Sequence, residues 1–240
     1  MKTPPVGINQ LESATEFDSA QMPAPLSAAS YPPPQATAIP LQQREYERGR
    51  WNYCFLDAVW RRTRFNSQPN ALLVETVGCY PAGRALDANM GEGRNALYLA
   101  QQGWQVTGVD YANQALAFAQ QRAQQLSVSL TTIEHDLATY EWGTDQWDLI
   151  VLCYADKDAH VAQVRAALRP GGLLVFENFH ADVNQARAIK PGQEIGFATN
   201  ELKNSYAAAN FRILRYEEPT GVADFSLETQ RLVKLVAQKL

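Results

Sequence analysis

From residue 84 onward the chain alternates between short runs of buried type, rich in β-branched and aromatic residues, and longer runs with helical spacing of apolar positions. The segments 84–88, 105–110, 128–135, 147–154 and 172–179 read as extended, while 94–102, 113–126 and 159–168 read as helices. Strands alternating with helices predict an α/β fold: a doubly wound, mostly parallel sheet with helices on both faces. A further helix is expected at 200–209, followed by extended segments at 211–217 and 229–237. With no helix between them, those two predict an antiparallel pair at the sheet edge. The stretch 227–240 also admits a helix. No internal repeat is present.

Upstream, the segment 44–65 carries Tyr46, Trp51, Tyr53, Phe55, Leu56, Val59, Trp60 and Phe65 among six arginines. Leu56, Val59 and Trp60 stand at i, i+3, i+4, and Phe55 with Val59 extends the stripe, which predicts one amphipathic helix packed by its apolar face with arginines in water. The sharper reading makes it a lid over an active site. A second helix is expected to start at Pro69, a good first-turn residue, and to run through Val77. Together, residues 44–80 are expected to form a helical cap on a domain spanning 81–240. The first 43 residues hold eight of the 13 prolines and only four charged residues, Lys2, Glu12, Glu16 and Asp18. Such a stretch buries too little apolar surface to offset its ordering entropy and is expected to be a flexible or extended tail. Its Tyr31-Pro32-Pro33-Pro34 run admits a polyproline recognition element as well as a plain linker.

Composition narrows the function classes. With 240 residues, 46% hydrophobic and 19% charged, the chain supports a sizeable core without disulfides or metals. Its net charge of -4, from 21 basic and 25 acidic residues, argues against a nucleic-acid binder. No apolar run approaches the roughly 20 residues that cross a bilayer, and no secretory h-region follows Met1. Cys54, Cys79 and Cys153 form no paired motif, which fits a reduced, cytoplasmic setting. Three scattered histidines without a carboxylate cluster predict no metal site.

The chemistry concentrates where a strand ending in Asp87 meets Ala88-Asn89-Met90-Gly91-Glu92-Gly93-Arg94-Asn95-Ala96, a Gly-rich turn opening a helix. Such a turn lets the backbone approach a ligand and offers unpaired N–H groups. A second strand, Val106-Thr107-Gly108-Val109-Asp110, ends in a carboxylate 23 residues after Asp87, where an acid commonly pairs with ribose hydroxyls. The turn fits the dinucleotide fingerprint G-x-G-x-x-[GA] as well as an S-adenosylmethionine loop. Three features favour the latter. Asp87 suits a cationic ammonium and would repel a pyrophosphate. His135-Asp136-Leu137 places a short acid where an adenine amino group can donate. None of the ten tyrosines has a lysine four residues on, as short-chain dehydrogenases require.

From about Pro69 to Phe179 the chain resembles class I S-adenosylmethionine-dependent methyltransferases. The runs Leu86-Asp87 through Gly93-Arg94-Asn95-Ala96-Leu97 and Gly103-Trp104-Gln105-Val106-Thr107-Gly108-Val109-Asp110 look like the small-molecule, tellurite-resistance-type branch. Trp147-Asp148-Leu149-Ile150-Val151 and Leu168-Arg169-Pro170-Gly171-Gly172-Leu173-Leu174 match the fourth strand and the turn before the fifth. The resemblance implies a seven-stranded Rossmann-like sheet, the last pair antiparallel, with S-adenosylmethionine across the carboxyl ends of the first strands. It also implies that Asp87, Gly91 and Gly93 hold the methionine part, Asp110 the ribose, Tyr111 the adenine face, and Asp136 and Leu137 the adenine edge. Asn95 and Cys153 complete the expected cofactor set. One departure stands out: Asn89 occupies the place of the first glycine of Asp-x-Gly-x-Gly-x-Gly, and asparagine is the non-glycine residue that best tolerates left-handed backbone.

Arg94, placed against the helix dipole, predicts a specific carboxylate partner, the cofactor's own among the candidates. The acceptor side is expected after the fourth and fifth strands, around Cys153, Tyr154, Ala155, Asp156, Lys157, Asp158, His160, Glu177, Asn178, Phe179 and His180. Tyr154 is the best pocket-lining candidate and His180 the best base. His160 is expected to face solvent. Phe65, Asn66 and Asn70 are expected to close over a small-molecule acceptor with the cap. Two other readings remain: a nicotinamide-dependent oxidoreductase using the same loop, and a non-catalytic binding protein that lost cofactor affinity at Asn89.

Overall fold

A computed structural model describes residues 41–155, 159–189 and 194–240, with the side chains of 41–43 left aside. The expected tail, the Tyr31–Pro34 run and Asp156, Lys157 and Asp158 lie outside the described residues.

Five parallel strands build one side of the sheet: β1 (Arg84–Ala88), β2 (Gln105–Asp110), β3 (Thr131–Glu134), β4 (Trp147–Cys153) and β5 (Leu168–Phe179). They are followed by β6 (Phe211–Glu217), a short β7 (Thr220–Val222) and β8 (Thr229–Lys239). The strand order is β3-β2-β1-β4-β5-β8-β6, with β7 added to β8. The seven-strand path is the one the resemblance implies, and β7 is an addition the sequence pattern did not suggest. The segment at 229–239 is a strand, not a helix. It runs antiparallel to both β5 and β6, so it is interior and β6 forms the edge.

Period-2 alternation splits the core between the two faces. Leu86, Ile150, Leu152, Leu174, Phe176 and Leu235 point to one side, under α6 (Val161–Ala167) and α8 (Glu201–Ala208). Ala85, Val106, Leu149, Val151, Leu173 and Val175 point to the other, under α3 (Ala71–Val77) and α4 (Arg94–Gln101). Each such Leu, Ile or Val side chain contributes about 1.5–3 kcal/mol on burial, so the sheet is rigid where its carboxyl ends carry the site.

Several boundaries depart from the sequence expectation, β5 beginning at Leu168 and not at 172 among them, and three departures have a clear local reason. Residue 128 does not begin a strand, because its N–H closes the end of α5 (Asn113–Gln125) on Ala123 O at 3.0 Å, with Ser127 at φ 55°. Helix α3 starts after Asn70 instead of at Pro69, because the Asn70 side chain accepts from Leu73 N and caps it. The aromatic segment is two helices, α1 (Leu41–Leu56) and α2 (Ala58–Arg64), because Asp57 takes an extended backbone and its side chain accepts from Val59 and Trp60 N–H.

That last break overturns the expected apolar stripe. Leu56 and Val59 are 59% and 60% exposed, while Phe55 is 3% exposed. The aromatic face that packs inward is Trp51, Phe55, Trp60 and Phe65, with Phe55 stacked on Phe65 at 5.6 Å and Trp60 edge-on to it at 5.3 Å. Helix α1 packs on α5 and supplies its missing cap: Gln114 N–H donates to Asn52 Oδ1 at 3.0 Å. The expected placement of the arginines in water holds for Arg48 and Arg62, while Arg44, Arg50 and Arg61 are half-buried and line the cavity.

Candidate functional site

At the crevice where the strand order reverses, between β1 and β4, the carboxyl ends of the strands open on a cavity of about 850 Å³. The loop after β1 shapes its floor. Asn89 sits at φ 55°, the left-handed conformation that an asparagine tolerates, so the missing glycine leaves the turn intact. Gly93 stands at φ 73° as the N-cap of α4, a conformation that strains any side chain, and a Cβ there would come within 3.1 Å of Ala119 Cβ. The turn is therefore closed to larger residues at that point.

Asp87 is buried, and its Oδ2 accepts from Ala96 N at 3.0 Å in the first turn of α4. Burial pushes its carboxyl up to about 7, against the pull of Arg94 and the Ala96 N–H. Asp110 ends β2 with Oδ2 accepting from Gly91 N at 2.8 Å and Oδ1 from Ala112 N at 2.9 Å. Burial raises it to about 6, less than Asp87, because three backbone N–H groups face it. Both acids line the cavity with Tyr111, Asp136 and Leu137. Burial raises the Tyr111 phenol above its usual range, so this residue presents a neutral ring. Asp136 accepts from Ala138 N and pairs with Arg44 of α1 at 3.3 Å.

Asn95 lines the cavity, and its Oδ1 also accepts from Asn70 N at 2.9 Å, tying α3 to α4. Arg94 has the carboxylate partner that its position predicted, but the partner is Asp224 in the loop before β8, at 2.7 Å. Asp224 gathers the cap as well: Asn70 Nδ2 donates to Oδ2 and Asn66 Nδ2 to Oδ1, both at 2.8 Å. Its backbone N–H reaches Tyr154 OH at 3.2 Å. Asp224 and Phe225 are the main site residues that the sequence reasoning missed. They lie more than 150 positions from their partners Asn66 and Asn70, and no motif surrounds them.

Beyond β4 and β5 the cavity turns aromatic. Phe225 bridges Phe65 as an isolated antiparallel β-pair, and their rings stack at 5.1 Å. Trp51 lies 6.1 Å and Phe179 6.3 Å from the Phe225 ring. Tyr154 lines this end in a left-handed conformation, φ 57°, with its ring 5.2 Å from Phe179. Its OH donates to Glu177 Oε1 at 2.8 Å, and Lys234 balances Glu177 from the other side at 3.0 Å. Burial, with Glu177 beside it, lifts the Tyr154 phenol far above its usual range, which makes it a wall and an orienting group, not a base. Cys153 also lines the cavity, and burial raises its thiol.

Two histidine expectations fail. His180 does not line the cavity: it is buried among Thr199, whose Oγ1 is 3.0 Å from Nε2, and Asp182, whose N–H donates to Nδ1 at 3.2 Å. Both ring nitrogens are thus committed to loops behind β5, and the geometry gives it no reach to an acceptor. His160 is 3% exposed, held as the left-handed cap of α6 with its ring 5.3 Å from Trp142.

The cap meets the loop directly. Arg61 of α2 pairs with Glu92, and a Cβ on Gly91 would lie 3.6 Å from Phe55 Cζ. Among the described residues no helix is long and apolar enough to cross a membrane, and no group of three His, Cys, Asp or Glu is placed to hold a metal.

Sheet order, crevice and glycine turn define the class I S-adenosylmethionine-dependent methyltransferase fold, and residues 85–172 match the family described as a methyltransferase domain. YqeM of Bacillus subtilis (strain 168), named provisionally as a methyltransferase, is 31% identical over 104 residues, covering 40% of this chain and 42% of that protein. The chain thus spans less than half the length of that relative. Among solved structures, the 1,6-didemethyltoxoflavin-N1-methyltransferase of Burkholderia thailandensis superposes with a TM-score of 0.61 at 19% identity, covering 87% of this chain and 93% of that one. TehB of Haemophilus influenzae gives 0.57 at 22% identity over 71% and 62%. At these identities the likeness speaks for the fold.

Proposed function

We propose that the chain transfers a methyl group from S-adenosylmethionine to a small-molecule acceptor, in a reducing, cytoplasmic setting. The observation that carries the proposal is the pair Asp87 and Asp110, on adjacent strand ends, opening on one cavity across a glycine turn. Asp87 offers a buried carboxylate to an ammonium, a partner that would offset its cost of burial. Asp110, Tyr111, Asp136 and Leu137 would hold the ribose and adenine, and Asn89, Gly91, Gly93 and Asn95 the turn that meets the methionine part. When bound, the cofactor supplies a methyl on a positively charged sulfur, already activated for in-line displacement. The protein's contribution is alignment and exclusion of water, for which the aromatic end and the cap are built. A pyrophosphate, as in a nicotinamide cofactor, would face the Asp87 carboxylate.

The three free cysteines support the reducing setting. The test is a calorimetric titration of wild-type and Asn89→Gly proteins with S-adenosylhomocysteine and with NAD. Micromolar binding of S-adenosylhomocysteine, changed less than about three-fold by the glycine, is expected, because Asn89 already holds the required left-handed backbone. Tightening of ten-fold or more, about 1.4 kcal/mol, would favour a degraded, non-catalytic pocket. Preferential NAD binding would favour the oxidoreductase.

A further inference from the structure

We infer that the acceptor is a flat, conjugated molecule carrying an anionic oxygen, and that Arg187 is the residue that receives this oxygen. The inference rests on the methyltransferase reading, because it places the acceptor at the β4 and β5 end of the cavity, beyond the acids of β1 and β2.

Arg187 follows α7 (Asp182–Ala186) and lines the cavity with Tyr154, Phe179, Gly196, Asp224 and Phe225. Its side chain is only 8% exposed. One guanidinium nitrogen, Nη2, is occupied, donating to Ser226 Oγ at 2.9 Å and Glu228 Oε2 at 2.8 Å. The plane is held 4.9 Å from the Phe179 ring centroid. Its Nε is buried with no hydrogen-bond partner among the described residues. A permanent cation in the cavity wall with a donor left without an acceptor is an arrangement that an anionic oxygen satisfies once the guanidinium turns toward it.

The surroundings point the same way. The other acids at this end are already spent: Asp224 is matched to Arg94 and two asparagine amides, and Glu177 to Lys234. Glu228 is 42% exposed, so water screens much of its pull on Arg187. Trp51, Phe179 and Phe225 line this end as an aromatic wall for a planar body, and Tyr154 closes one side. An acceptor without an oxygen to offer would leave the Nε donor unmet, and a cationic one would set a second positive charge beside Arg187.

The test uses the full chain saturated with S-adenosylhomocysteine and measures calorimetric binding of 3-hydroxy-2-naphthoate and quinoline-2-carboxylate, each beside its neutral carboxamide. Each acid is expected to bind the wild type at least ten-fold tighter than its amide. In Arg187→Gln that preference should fall below two-fold, and Arg187→Lys should retain part of it, while S-adenosylhomocysteine affinity reports that the fold is kept. Equal binding of acid and amide, no binding of either acid at millimolar concentration, or an undiminished preference in Arg187→Gln would each overturn the assignment. The acid-to-amide comparison on the wild type stands even if a variant fails to fold. Failure of S-adenosylhomocysteine to bind the wild type would instead count against the methyltransferase reading, and the same acid titration without it would then judge Arg187 alone.

Discussion

Replacing Asp87 with asparagine is expected to weaken S-adenosylhomocysteine binding about 100-fold, some 2.7 kcal/mol, while making the ligand-free protein more stable at pH 8. The opposite signs follow from one fact: Asp87 is a buried carboxylate with one backbone donor, raised to about 7 by burial. Its folded pKa lies above the ordinary value near 3.8. Between about pH 4 and 7 the native state therefore keeps a proton that the unfolded chain gives up, and stability falls as pH rises through that window. Above about pH 7 the full cost of a buried charge is present. An asparagine removes that cost, and about 1 kcal/mol recovered would raise Tm by roughly 2–4 °C. A cationic amine needs the charged form, so wild-type affinity should rise about ten-fold from pH 6 to pH 8, with protons released on binding. The asparagine variant should show neither the rise nor the proton release. A pH-independent wild-type affinity would place the ammonium elsewhere.

The second large effect belongs to Asp224. Its side chain is 12% exposed and that of Arg94 14%, so the pair is largely out of water. Removing one member of such a pair leaves an uncompensated charge, at a cost of about 3–5 kcal/mol. Asp224→Ala also takes the acceptor from Asn66 and Asn70, which anchor the segment between α2 and α3 to the domain. The expected result is a fall in Tm of roughly 10 °C or more. The double variant Arg94→Leu, Asp224→Leu should recover more than half of the loss, because the orphaned charge is gone. If Asp224→Ala melted within about 2 °C of wild type, Asp224 would not be what ties the segment between α2 and α3 to the domain.

What could be read from the sequence, and what could not, divides along the range of the interactions. Strands β1, β2 and β6 lie where their apolar runs predicted, because a buried strand is set by its own side-chain pattern. The left-handed Asn89 was also legible, since only a few residue types accept that backbone. The cap was misread because periodicity was carried across Asp57. An Asp two and three positions ahead of Val59 and Trp60 was the available signal for a new helix, and it put Leu56 and Val59 outside. His180 and His160 were misplaced because a histidine in a polar-looking loop says nothing of which side faces the sheet; both are packed inside. Asp224, Phe225 and Arg187 join the site through contacts that only the tertiary fold creates, such as Phe225 pairing with Phe65. No local pattern marks them.

Asp110 is the residue that tests most directly whether the carboxyl ends of β1 and β2 form an S-adenosylmethionine site. Calorimetric titration of S-adenosylmethionine into wild-type protein and Asp110→Ala, both shown to be folded, should give micromolar binding that the substitution weakens at least ten-fold. A folded wild-type protein that binds neither S-adenosylmethionine nor S-adenosylhomocysteine, or an Asp110→Ala variant that binds as well as wild type, would contradict the account.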